Sequence, residues 1–182
     1  MLEADALLAS PPADWNPNEW ATIAEVAYAR SKEDPHWLAV KALACEKGPS
    51  SRPVTDGLSA RAQLISVLGE DGADPFRSGS EFVRIAEGLI ASDTPESALR
   101  AYHSSQRTLF SVPRGETAWR QARDVFMRCR CLRDLAVALV KLNHAGVQLP
   151  AHVGVWMSWA DVREDELERR AAQQADAADE AL

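Results

Sequence analysis

The chain has 182 residues, 46% of them apolar, which suffices for one globular domain with a core. Ten prolines and nine glycines exclude a linker-rich or low-complexity chain, three cysteines argue against a disulfide framework, and the apolar runs are too short to cross a bilayer. The net charge of −7 hides a basic middle: residues 100–141 carry 9 basic and 3 acidic side chains, while both flanks are acidic. The N-terminal "MLEADALLAS" has acids but no Lys or Arg, so it lacks the charged start of a signal peptide and predicts an intracellular, cytoplasmic protein. Asn16-Pro17 then opens a helix with Trp20, Ile23, Ala24 and Ala27 on one face. Asn16 is the cap, Pro17 suits the first helical position and Glu19 completes a capping box. Asp34-Pro35 does the same for "HWLAVKALACEKG", where Gly48 is expected to end the helix in the left-handed conformation. Thr55 or Asp56 starts "GLSARAQLISVLG", which closes at Gly69, and "GEDGADPFRSG" reads as a loop. Alternating apolar and polar runs rich in Val, Ile and Thr are missing, so the predicted class is all-α.

The stretch "SEFVRIAEGLIASDTPESALRAYHSSQ" carries two apolar stripes. Phe82, Ile85, Ala86, Leu89 and Ile90 form the first; Ala98, Leu99, Tyr102 and Ser105 form the second. Between them Thr94 caps, Pro95 takes the first helical position and Glu96 favours the dipole. A connection this short predicts an antiparallel helical hairpin. The order of large and small positions at Phe82, Ala86, Leu89, Ala98, Tyr102 and Ser105 resembles the tetratricopeptide repeat over residues 80–110. Two further segments resemble it loosely. One starts at Trp20, with His36 where a small residue belongs; the other starts at Trp119, with Arg123 in such a place. Residues 49–79 do not match.

The resemblance implies stacked antiparallel hairpins over residues 1–160, closed by a C-terminal capping helix, with 161–182 as an acidic helical or frayed tail. It also implies a concave groove for a peptide or helix of a partner, lined by first-helix positions. These are Val83, Glu87 and Ile90 in the well-matched unit; Ala21, Glu25 and Tyr28 in the first loose unit; and Arg120, Asp124 and Met127 in the second. The Lys and Asn pair with which some members clamp a C-terminal carboxylate is absent, which argues against that ligand class.

Cys129 and Cys131 are the first candidates for chemistry. On one helix, residues two apart point about 200° apart, so their sulfurs cannot grip one ion. They read as core residues, and no metal or other cofactor is predicted. His36, His103, His144 and His152 have no carboxylate at a familiar catalytic or metal spacing. The chain carries no P-loop, dinucleotide glycine pattern or nucleophile elbow. In "HVGVWMSWADV", Val153, Trp156, Met157 and Ala160 share an α-helical face, with Trp159 off its centre. That helix is expected to cap the array or to offer Trp156 and Trp159 for self-association.

Three functional classes follow. The first is a protein-interaction module, an adaptor or chaperone-like protein, without enzymatic activity. The second is a helical nucleic-acid-binding or assembly subunit using Arg100, Arg107, Arg120, Arg123, Arg128, Arg130 and Arg133. One continuous exposed arginine stripe favours nucleic acid; scatter or internal pairing favours the adaptor. A helical enzyme whose residues converge only in three dimensions is a third class.

Overall fold

Helix starts follow the capping residues. The Asn16 side chain accepts from the backbone N–H of Asn18 and of Glu19, at 2.9 and 3.1 Å, and Glu19 accepts from the Asn16 N–H at 2.7 Å. At Thr94 the box closes with Ser97, whose backbone N–H donates to the Thr94 hydroxyl at 3.1 Å. The computed structural model of the chain describes residues 3–49, 54–69 and 79–161. The regular structure among them is helical throughout, so the fold is all-α. The elements are α1 (Ala4–Ala9), α2 (Pro17–Arg30), α3 (Trp37–Lys47), α4 (Val54–Leu68), α5 (Gly79–Ile90), α6 (Pro95–Ser111), α7 (Thr117–His144) and α8 (Ala151–Gly154). A 3-10 turn, Val155–Asp161, ends the described chain. Most of the loop expected at 69–79 and nearly all of the expected tail, residues 162–182, lie outside the described residues.

The helices pack in sequence, α2 on α3 and α3 on α4, until α4 meets α7. α6 packs closely on another side of α7, and the 3-10 turn also packs on α7. A large core cluster gathers around α7 and includes Ile65, Tyr102, Leu132, Leu135, Leu139 and Trp156. A smaller one gathers around α3, with Leu7, Trp37, Val40 and Leu64. Arg61 and Glu46 are ion-paired between α4 and α3.

Several expectations change here. Gly48 ends α3 at φ −75°, outside the left-handed region. The residue after it is proline, which favours extended backbone at the position before it. The segment 117–144 is one unbroken 28-residue helix, so the stretch that starts at Trp119 and "LRDLAVALVKLN" share one element. α5 and α6 contribute Phe82, Ala86, Ile90, Ala98 and Tyr102 to one core cluster. The close partner of α6, however, is α7, to which it is joined by residues 112–116 with Gly115 at φ +92°. Ala98 serves that approach: the Cys129 thiol on α7 donates to the Ala98 carbonyl at 3.6 Å. The tryptophan segment changes as well. A 3-10 turn has three residues per turn, so Trp156 and Trp159 fall on one side rather than diverging, with ring centres 6.1 Å apart. Both are buried, 2% and 3% exposed, and Trp159 donates its indole N–H to the Pro95 carbonyl at 3.3 Å. The pair is core rather than contact surface.

Candidate interaction site

α7 is buried on two sides. Cys129 turns toward α6, while the Cys131 thiol donates to the Thr55 carbonyl on α4 at 3.4 Å. This is the divergence expected of residues two apart on a helix. Burial pushes the Cys129 thiol up to about 11 and the Cys131 thiol up to about 12, so both stay protonated at neutral pH. Among the described residues, no group of three or more His, Cys, Asp or Glu side chains is placed to hold a metal ion.

A further face of α7 is only partly covered. At 3.6 residues per turn, Trp119, Arg123, Phe126, Met127, Arg130 and Asp134 fall within an arc of about 100° and span roughly 22 Å. Leu132, Leu135, Ala136 and Leu139 occupy the opposite, buried side. Two concavities lie along the open face and meet at Met127. The first is a cleft of about 330 Å³ lined by Tyr28, Lys41, Ser59, Gln63, Met127, Arg130 and Asp134, among others. The second is a groove of about 560 Å³ at the mouth of the α6–α7 hairpin, lined by Leu109, Phe110, Arg114, Trp119, Arg123, Phe126 and Met127.

The cleft floor is fixed by hydrogen bonds. Ser59 donates to the Asp134 carboxylate, and Gln63 donates to the same oxygen at 3.1 Å. Asp134 is therefore engaged in joining α4 to α7. On the rim the Lys41 ammonium sits 4.6 Å from the centre of the Tyr28 ring, which holds that exposed tyrosine in place. Tyr28 is 52% exposed and Met127 is 41% exposed. An aromatic and a flexible thioether side chain thus face solvent across a polar floor.

The structure divides the sequence-predicted residues. Glu25, Tyr28 and Met127 border one cleft. Arg120 and Asp124 are exposed on α7, while Ala21 is half-buried on α2. Val83 and Ile90 are buried in the main core and line no groove, because α5 turns that face inward. Glu87 is half-buried, 2.5 Å from the ring of His152 on α8. Among the arginines, Arg100, Arg107, Arg120, Arg123 and Arg130 are exposed. Arg128 is turned away: it donates to the Leu89 carbonyl at 2.8 Å and pairs with Asp93. Arg133 is half-buried at the cleft. The basic segment is therefore split between an open face and internal pairings.

Sequence reasoning missed Phe110 and Arg114. The expected stripe of α6 is Ala98, Leu99, Tyr102 and Ser105, yet His103 and Gln106 are buried too. Phe110 follows them at helical spacing and carries that face out into solvent, where it is 85% exposed. Comparison with known proteins returned no matching family model, no matching curated protein and no matching solved structure.

Proposed function

We propose that the chain is a cytoplasmic protein-interaction module, adaptor or chaperone-like, that holds a peptide or helix of a partner protein along the open face of α7. The supporting observation is the cleft itself. Tyr28 and Met127, two positions that the tetratricopeptide resemblance assigns to a ligand groove, are both exposed and border the same cleft from distant helices. Exposed aromatic and methionine side chains over a fixed polar floor suit recognition of a segment with apolar anchors. Exposed large apolar side chains grouped in this way mark contact surfaces.

A second reading, nucleic-acid binding, draws on Arg120, Arg123 and Arg130, which are exposed on neighbouring turns of α7. The inward pairing of Arg128 weighs against it, because a phosphate track gains from each additional free cation. Capture from the native cell by the full chain, with and without nuclease, separates the two. A protein partner retained after nuclease by the wild type and lost by Tyr28→Glu, with melting unchanged, supports the module. Recovery abolished by nuclease selects the second reading.

A further inference from the structure

We propose, building on the partner-binding reading above, that the mouth of the α6–α7 hairpin takes an acidic amphipathic helix. The apolar face of that helix would seat among Phe110, Trp119 and Phe126, with its carboxylates on Arg114 and Arg123. Three observations carry this. First, five of the seven residues lining the groove are apolar, and Phe110 is 85% exposed, so the patch is incomplete without an apolar occupant. Its inner wall is rigid, since Phe126 stacks on buried Tyr102 with ring centres 5.1 Å apart.

Second, the guanidinium groups of Arg114 and Arg123 lie 5.8 and 5.9 Å from the centre of the Trp119 ring. Among the described residues neither has a carboxylate partner within ion-pair distance. A guanidinium held against an indole keeps its N–H edges available, and those edges match a carboxylate in a two-bond geometry. Two such groups beside one tryptophan define the charge of the missing partner as negative.

Third, the shape suits a helix. The α7 wall of the groove, from Trp119 to Met127, is about 12 Å long, enough for the anchors at i, i+3, i+4 and i+7 that an amphipathic helix lays into a groove. Nucleic acid fits less well. The groove lining is mostly apolar and offers two cations, Arg114 and Arg123. A single strand would need a longer basic track.

The test is a display library of helix-forming peptides of about 16 residues, roughly 24 Å as a helix. It is panned on the full chain and counter-panned on Phe110→Ala with Arg123→Glu. Both side chains are exposed, so the variant retains the fold, and its melting temperature verifies this. The expected result is enrichment of peptides with net negative charge and large apolar residues at helical spacing. Their affinity should fall by about tenfold or more in the double variant, and by a similar factor when their acids become Lys. Enriched peptides that are neutral or basic, or that bind the double variant equally well, overturn the proposal. So does the absence of enrichment. An oligouridine strand that binds more tightly than the best peptide, and is lost in the same variant, overturns it in favour of nucleic acid. Concentration-dependent dimers abolished by Phe110→Ala overturn it in favour of a second copy. Non-acidic peptides lost on Tyr28→Glu would leave the partner-binding reading standing while removing the acidic partner, so the two failures are distinguishable.

Discussion

The two halves of α7 make an instructive pair. Residues 117–128 and 129–144 each contain three Lys or Arg and one Asp. Their fates differ: the first half buries Ala122 alone, whereas the second buries Cys129, Cys131, Leu132, Leu135, Ala136, Ala138, Leu139 and Leu142. Charge content therefore does not decide which half is core. The decisive quantity is the width of the apolar arc. In the second half the apolar residues cover about half the helix circumference, wide enough to receive both α4 and α6. In the first half Trp119 and Phe126 are half-buried, Val125 and Met127 are exposed, and Arg120 and Arg123 stay at the surface. The same helix is a structural spine at one end and a partly open face at the other.

The largest expected effect tests that division directly. Leu139→Ala should cost about 2–5 kcal/mol, through lost burial and the cavity left behind. Met127→Ala, on the open face, should stay within about 0.5 kcal/mol. Denaturant melts of both variants check the contrast, and equal losses would break it. Next comes Ala98→Trp. Ala98 sits where α6 meets Cys129, and overpacking that contact should cost about 1–3 kcal/mol or more. An unchanged melting midpoint would mean that α6 is not held against α7 at this point.

What the sequence made legible follows from these particulars. The all-α class, the caps at Asn16 and Thr94, and the inward-facing Phe82, Ala98 and Tyr102 were readable because each rests on local spacing and hydrogen-bond chemistry. The partner of each helix was less readable. Ala98 signals a close approach, but local spacing cannot say that the approaching helix is α7 rather than α5. Trp159 was misplaced because an α-helical period was applied to a 3-10 turn. Of the residues that the family-like order assigns to a groove, Tyr28 and Met127 are exposed and border one cleft. Ile90 was taken for groove and proved core, because the repeat-like order does not reveal which α5 face turns inward. Phe110 escaped because it lies at the end of a buried face, where spacing does not show that the cover has run out.

A smaller effect separates two arginines of the first half of α7. Arg128 is half-buried and bonded to the Leu89 carbonyl and Asp93. Arg128→Ala should cost about 1 kcal/mol, because it leaves that carbonyl without its donor. Arg123→Ala, with its side chain at the groove, should be neutral for stability and should weaken only partner binding. Thermal melts at two salt concentrations would test this. If Arg123→Ala destabilises as much as Arg128→Ala, Arg123 belongs to the scaffold and is not held ready for a ligand.

The smallest expected effect appears only at high pH and marks the buried end of the same comparison. Cys129 and Cys131 are both held above the ordinary thiol value of 9.0, at about 11 and about 12, chiefly by burial. A raised value in the folded state contributes stability that is fully present below the unfolded value. It is lost as pH rises toward the folded one, because the unfolded chain releases its thiol protons first. Neither thiol should therefore make stability depend on pH near pH 7. The loss should begin at about pH 9, at roughly 0.4 kcal/mol per thiol, and grow up to pH 11. Lysine and tyrosine titrate in the same window, so the informative quantity is the difference between the wild type and the double variant Cys129→Ala, Cys131→Ala. The wild-type melting temperature should fall more steeply with pH than that of the variant. Alkylation of the native chain at pH 8 supplies a second readout, with half-buried Cys45 modified well before the other two. Parallel pH profiles, together with equal alkylation of all three thiols, would mean that the second half of α7 opens to solvent as readily as the first.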